Sequence, residues 1–490
     1  MRILNRRIAA FSAAALMTGV FIGGLVIDNI ILLISIPVAL TAIGVLFLCK
    51  KFPTLFAVYL CLAVGIAAFA IDYTVYKGTE TAGYYEIEAR IEKVGNGYYL
   101  ADDVRLDGKS CVGKIKINYD KELDSGDEVY LYGAVETLDV NITDSYSSWL
   151  FAKKVRYETD AETVNVVSVN KTVFEKIRDR ITAPMEKFMS TDDAGIAKSL
   201  IFGDKSDLSV KDNEIIRGTG LSHIFALSGL HVGFLMAIVV FLSKKLKASP
   251  VVTLVVSVAV LAVYGFVTGF PSGLKRAAVM TILCLIAPMA KAKNDALNTL
   301  GAACFVIILT NPRELFDLSF LMSAAAVFGI ALFYKPFSAF FTGKKGGELR
   351  KFLGEGTALT LSSNAALFPI CCNVFGSIAV YSVVANLIIL PLVSFTFTLL
   401  AVSAILTFVF SGFGVLYYLV QFPIIAVRII CGFIYSLPYA TVSVTSLGIS
   451  SVFYVAAIVV CSRFVKLKFT PKIITVCVLA ALWAVAFIVF

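Results

Sequence analysis

Both histidines of the chain, His223 and His231, fall within the segment Gly218 to His231. Imidazoles near neutrality can switch charge against phosphates, and they ligate metals. On an α-helix the eight positions between them put the two rings roughly 80° apart, on adjoining faces. Ser228 lies three residues before His231, close enough on a helix to touch it. Gly218, Gly220 and Gly229 allow a broken or re-entrant helix, which is tolerated in a membrane only where it lines protein or water; Gly229 also allows close backbone approach. Three readings stand side by side. The segment is a polar helix–helix contact holding a kink, or it lines a pore or substrate path, or it carries a Ser/His hydrolytic or metal pair. The last reading lacks a third orienting group or a further ligand. Two histidines are too few for a His-rich metallo-hydrolase centre, so neither a metal nor another cofactor is expected.

Other polar clusters sit inside apolar sequence. A centrally placed Arg or Asp costs roughly 2.5–3.5 kcal/mol on insertion scales, so each cluster is informative. Gly269, Pro271 and Gly273 break a run just before Lys275 and Arg276. These two cations either snorkel outward or face a polyanion path. Asn311 to Asp317 reads as an outer turn feeding a span that starts near Asp317. Asn386, five residues before Pro391, predicts a discontinuous helix, and Asn364 with Pro369 is a weaker instance. The GxxxxGK[ST] spacing of a phosphate loop is not met.

The elements that must position these residues are mostly membrane spans. Of 490 residues 58% are hydrophobic and only 16% charged, against about 25% charged in a soluble domain. This excludes an ordinary soluble enzyme, and it excludes disorder. Arg2, Arg6 and Arg7 precede an apolar run over 8–27, long enough to span a ~30 Å hydrocarbon core and too long for a cleaved signal core. Further runs follow near 30–48, 52–71, 221–243, 250–270, 274–290, 295–310, 316–334, 356–373, 378–400, 412–437, 447–465 and 471–490, about thirteen spans in all. By parity, Lys50 and Lys51, then Lys244, Lys245 and Lys247, then Lys291 and Lys293, then Lys344, Lys345, Arg350 and Lys351, then Arg463, Lys466, Lys468 and Lys472, fall on the side of the N-terminus. The positive-inside rule makes that side cytoplasmic.

Residues 72–180 stand apart. They hold 21 acidic and 15 basic side chains, a net of −6, and leave 13 acidic and 28 basic ones elsewhere, a net of +15. They lie on the extracytoplasmic side. Cys111 is the one cysteine there, so no disulfide can form within the region. Strand-like alternation at Tyr85–Ile91, Tyr98–Leu100, Gly113–Ile117 and Val129–Gly133, separated by turn residues, predicts a small closed β-barrel. Eleven of the 20 tyrosines fall in this region. Such barrels can stack bases on exposed aromatics, yet Tyr is a common strand residue and the net charge opposes a polyanion. Phe174, Ile177, Ile181, Met185 and Phe188 then make one apolar helical face, interrupted at Pro184. That face either lies in the membrane interface or packs on the barrel.

The chain resembles the ComEC-type competence proteins of bacterial DNA uptake. The likeness runs from Ile201-Phe202-Gly203-Asp204-Lys205 and Leu208 through Gly220-Leu221-Ser222-His223 to Ser228-Gly229-Leu230-His231-Val232. It continues in Gly269-Phe270, Arg276-Ala277-Ala278 and Met280. It resumes in Asn311-Pro312, Leu315-Phe316-Asp317, Phe320 and Ser323, then in Asn386-Leu387 and Pro391-Leu392-Val393-Ser394. The resemblance implies a polytopic α-helical protein of the bacterial inner membrane with one OB-like extracytoplasmic β domain. Its parts are expected at 1–71 (three spans), 72–170 (the β domain), 171–215 (amphipathic and connecting helices), 216–410 (a channel core) and 411–490 (further spans).

The implied function is a channel, not an enzyme, that passes single-stranded DNA to the cytoplasm during natural transformation. His223, Ser228, Gly229, His231, Arg276, Asp317 and Asn386 would line or shape its path. The implied partners, besides DNA and lipid, are an extracellular DNA receptor and a cytoplasmic motor or strand-binding protein, since the chain shows no ATPase motif. Many members carry a metallo-β-lactamase-like domain with an HxHxDH signature. This sequence has no such signature, so degradation of the second strand is expected of a separate nuclease. A secondary transporter of a small solute, and an intramembrane hydrolase using Ser228 and His231, are the other classes left open.

Overall fold

The computed structural model describes residues 7–25, 35–41, 43, 53–77, 82–94, 97–121, 123–138, 144–169, 171–225, 227, 229–291, 295–343, 347–444, 450–462, 475 and 478. It is a multi-pass helical membrane protein with one small β-barrel. Among the described residues eight helices are long and apolar enough to cross a membrane: Ile8–Leu25, Leu55–Tyr76, Pro250–Thr268, Ser272–Met289, Leu318–Thr342, Glu348–Phe375, Ser382–Val409 and Ser411–Ser436. Three more expected runs form shorter helices, Gly229–Lys245, Ala296–Thr310 and Ser450–Cys461. The runs expected over 30–48 and 471–490 lie largely outside the described residues. The chain divides into two compact units, one of residues 1–183 and 235–321, the other of residues 184–234 and 322–490.

The first unit contains the barrel. Its strands are β1 (Gly83–Val94), β2 (Tyr98–Leu106), β3 (Lys109–Ser110), β4 (Lys114–Asn118), β5 (Asp127–Thr137), β6 (Val155–Asp160) and β7 (Asn165–Val169). Five of them close on themselves in the order β1-β2-β4-β6-β5 and back to β1. Only β4 and β6 run parallel. The closure depends on β1, whose twelve residues pair with β2 on one side and β5 on the other. Register shifts between Glu88 and Arg90 and between Ile91 and Lys93 bend it, as bulges do at barrel corners. Alternation then fills the interior with Ile87, Ala89, Ile91, Ile115, Ile117, Val129, Leu131 and Val135. Asp107 and Gly108 both take positive φ, the geometry of a tight primed hairpin between β2 and β3.

A helix at Val173–Phe188 follows and runs unbroken through Pro184, contrary to the interruption expected there. Thr172 and Glu175 cap its first turn reciprocally, Thr172 N to Glu175 Oε2 at 2.6 Å and Glu175 N to Thr172 Oγ1 at 3.2 Å. Within the first unit this end of the helix is tied to the barrel, because Glu175 also accepts from Arg90 at 2.7 Å and from Ser125 at 3.2 Å.

The membrane helices of the first unit cross on glycine. A Cβ built on Gly19 would stand 2.1 Å from the Leu62 carbonyl oxygen, and one on Gly65 would stand 2.3 Å from that of Leu16. The helices Ile8–Leu25 and Pro53–Lys77 therefore touch backbone to backbone, as small residues permit in lipid. Gly301 meets Ala10 in the same way. Between Pro250–Thr268 and Ser272–Met289 the expected break is present. Gly269 and Phe270 both adopt left-handed φ, at 74° and 50°, and Pro271 caps the next helix.

In the second unit the expected discontinuity at Asn386 and Pro391 is absent: Ser382–Val409 is one helix of 28 residues. Proline is tolerated inside membrane helices because neighbouring groups satisfy the freed backbone. The break falls earlier, where Asn364 and Pro369 gave the weaker signal. The helix Glu348–Ile370 passes through Pro369, widens into a π-turn at Cys371–Phe375 and ends on Gly376 at φ 59°. A short ribbon follows, β8 (Ser377–Ala379) paired antiparallel with β9 (Thr441–Ser443).

Two predictions follow from this packing. Gly19→Val is expected to lower stability by roughly 1–3 kcal/mol, the range for overpacking, whereas Gly432→Ala, inside a helix and with a Cβ that would meet nothing within 4 Å, is expected to raise it by up to about 1 kcal/mol; melting of the two purified variants compares them. Glu175 concerns pH. Burial works to raise its pKa, but the Thr172 amide and hydroxyl, Arg90 and Ser125 outweigh it and hold the carboxyl below its ordinary value. The stabilisation is complete above the unfolded carboxyl pKa of about 4.3 and is lost as pH falls through the lower folded value. The melting difference between the parent chain and Glu175→Gln should therefore be constant at neutral pH and shrink in the acid range.

Candidate functional site

In the second unit the two histidines occupy different settings. The helix that carries His231 begins only at Gly229. The preceding helix, Val210–Gly218, ends in a turn at Thr219 and a left-handed Gly220 at φ 76°. His223 therefore sits in an irregular segment, exposed, with Nδ1 3.1 Å from the Gly220 carbonyl. The helical angle expected between the rings does not apply, because the glycines end the helix before it reaches either one. Ser228 lies outside the described residues. Gly229 is the first residue of the helix, and His231 is buried two positions later at 1% exposure, its ring edge-on to Phe397 at 4.8 Å.

The irregular segment is locked by close contacts. A Cβ on Gly220 would come within 3.0 Å of Ala379 and Ser382, and one on Gly203 within 2.9 Å of Leu227. Lys205 donates to the Ser222 carbonyl at 3.3 Å. The Ser382 hydroxyl in turn accepts from the Asn364 amide at 3.1 Å. One turn further along the same helix lies Asn386, 5% exposed, whose Oδ1 has no hydrogen-bond partner among the described residues. Half-buried Asn364 and buried Ser382 and Asn386 thus place polar groups along one seam beside Gly220, and His231 touches the same helix at Phe397.

The other two candidates belong to the first unit. Arg276 is buried at 3% exposure in the first turns of Ser272–Met289, with Nη1 3.5 Å from the Met280 sulfur. Its neighbour Lys275 pairs with Glu314 at 2.5 Å. Asp317 caps the helix Leu318–Thr342 through the amides of Ser319 and Phe320, and its second oxygen receives Lys153 at 2.5 Å. Beside it the buried Arg313 pairs with Asp72 at 2.5 Å, and its guanidinium lies over the rings of Tyr76 and Phe151, at 4.5 and 5.0 Å. Lys153 and Phe151 belong to the helix and turn between β5 and β6. Asp317 therefore anchors the barrel to the turn Pro312–Phe316.

Sequence reasoning singled out Asp317 but none of Asp72, Lys153 or Arg428. Arg428 is the hub of the second unit. Its three guanidinium nitrogens reach Asp212 at 3.2 Å, Asp193 at 3.5 Å and Asp192 at 2.5 Å. Ser190 and Ser209 cap the helices Thr191–Phe202 and Val210–Gly218 through the amides of Asp193 and Asp212. Two helix starts are thereby bound to one membrane helix, Tyr417–Ser436. An open cleft of about 700 Å³ beside it is lined by Lys211, Ile425, Ile429 and Tyr435. The signal for this hub was available as two S-x-x-D capping patterns and one Arg within an apolar run. Among the described residues no group of three His, Cys, Asp or Glu side chains converges as metal ligands would.

Comparison with known proteins gives the following. A family model described as competence protein matches residues 200–469. ComE operon protein 3 of Bacillus subtilis (strain 168) is 24% identical over 277 residues, 56% of this chain and 34% of that protein. Recombination protein 2 of Haemophilus influenzae (strain ATCC 51907 / DSM 11121 / KW20 / Rd) is 24% identical over 224 residues, 44% of this chain and 28% of that protein. The matched stretches thus span about a third of each relative's length. No solved structure matches the chain.

Removing Arg428 leaves the buried carboxylates of Asp193 and Asp212 uncompensated, which typically costs about 3–5 kcal/mol. Arg428→Lys keeps the charge but loses the three-way fork. Melting temperatures should therefore fall in the order parent, Arg428→Lys, Arg428→Met.

Proposed function

Because the chain belongs to the competence protein family, we propose that it is an inner-membrane channel that passes single-stranded DNA to the cytoplasm during natural transformation. The observation that carries this reading is a buried polar row on the helix Ser382–Val409. Ser382, Asn386, Thr396, Ser403 and Thr407 are all buried, and at 100° per residue they fall within a sector of roughly 100°. Polar groups at membrane depth that turn away from lipid are the pattern of a polar path. His231 adjoins that row through Phe397.

In this reading the N-terminus and the basic loops are cytoplasmic, and the barrel lies on the extracytoplasmic side. The spans number about thirteen. The barrel is of the OB type, in keeping with its five closed strands and their Greek-key-like order. The chain does no covalent chemistry of its own. Moving each negative charge inward against an inside-negative potential costs about 2.3 kcal/mol per 100 mV. A cytoplasmic motor or strand-binding protein therefore pulls the strand, an extracellular receptor delivers it and a separate nuclease removes its complement.

His231→Ala is expected to abolish uptake of labelled DNA while membrane levels stay normal, and Asn386→Leu to do the same. Normal uptake in both variants would remove the polar row from the mechanism. Flux of a small solute into vesicles in the absence of DNA would instead identify a secondary transporter.

A further inference from the structure

Among the described residues the barrel carries a face that its packing does not use. Tyr84 on β1 and Tyr132 on β5 are 70% and 64% exposed, yet their rings stack on each other at 5.9 Å and 24°. Strand alternation puts Glu86, Glu88 and Tyr130 on the same outer surface, and the register sets Glu86 opposite Tyr132 and Glu88 opposite Tyr130. Carboxylates and ring faces are therefore direct neighbours. Asp107 adjoins them, its carboxylate accepting from the Glu86 amide at 2.9 Å. Against these acids stands Arg105, 3.6 Å from Glu88, with both side chains more than half exposed; such a pair is worth little. Partial desolvation, then a hydrogen bond with Glu86 and the carboxylates of Glu86, Glu88 and Asp107, raise the Tyr130 phenol above its ordinary pKa.

We propose that this outer face of β1 and β5 is a docking surface for a polybasic segment of another protein. Aromatic faces attract Lys and Arg heads through the ring quadrupole, and the flanking carboxylates supply complementary charge that steers such a partner in. Glu86 and Glu88 point outward about 7 Å apart, two strand positions, which matches alternate side chains of an extended basic segment. The same charges repel a nucleic acid. The barrel's other aromatic cluster differs, because there Lys116 lies over Tyr98 and Tyr146 and is already paired with Glu158 at 2.5 Å. The proposal does not rest on DNA passage.

The test uses the full chain in lipid nanodiscs and a fluorescein-labelled octa-arginine peptide. Binding is expected to be saturable and to weaken steeply with salt. Tyr132→Ala should reduce affinity roughly two- to fivefold, the scale of one exposed cation–π contact, while Tyr132→Phe retains it. The double variant Glu86→Gln with Glu88→Gln should remove most of the salt dependence. Unchanged melting of each variant keeps the reading independent of folding. Absence of peptide binding would overturn the proposal, as would equal binding by all variants or displacement of the peptide by an oligonucleotide that itself binds the parent chain but not Tyr132→Ala.

Discussion

A charge that cannot reach bulk water must bring its own partner, and this rule fixes where the chain turns in both units. Arg313, Glu314 and Asp317 lie within one short turn and are all at least 94% buried. Their partners Asp72, Lys275 and Lys153 come from three other places in the first unit. Each pair is costly to desolvate and costly to break, so the three together leave the turn Pro312–Phe316 little choice of position. The consequence for Asp317 is that its charge is spent on holding the barrel and starting a helix. In the second unit Arg428 plays the corresponding part for two helix starts.

A recurring local device underlies these junctions. Thr172 with Glu175, Ser190 with Asp193 and Ser209 with Asp212 each place an acid three residues after the cap. In every case that acid also accepts from an arginine distant in sequence, Arg90 for the first and Arg428 for the other two. An N-terminal acid favours the helix dipole and the free amides. Here it also transmits the position of the helix end to another element. Capping and tertiary docking are thus a single interaction, and loss of the acid would loosen both at once.

What the sequence made legible follows the physics of each signal. Period-two alternation survives in β1, β4 and β5 because one face of each strand fills the barrel, so these strands were legible, whereas β6, which joins β4 to β5, was not. Apolar length located eight helices long enough to cross a membrane among the described residues, since lipid demands such length whatever the tertiary arrangement. Ion pairs such as Asp72 with Arg313 were illegible, because nothing local links residues 241 positions apart. Proline misled as a sign of helix ends. Pro184 and Pro391 sit inside continuous helices, whereas the helix that does break continues through Pro369 and yields only at Gly376. A proline removes one hydrogen bond, which a packed helix can absorb. A left-handed residue reverses the backbone, which it cannot.

That distinction bears on the polar seam of the second unit. The polar row lies on an uninterrupted helix, and the groups that make it are side chains. Ser394 and Thr396 donate back to the carbonyls of Leu390 and Leu392 on their own helix, Ser382 meets Asn364, and Asn386 Oδ1 has no hydrogen-bond partner among the described residues. Serine and threonine hydroxyls that return to their own helix place no demand on a neighbour. A buried amide oxygen without a donor does place one, because leaving it unpaired costs about 1–3 kcal/mol.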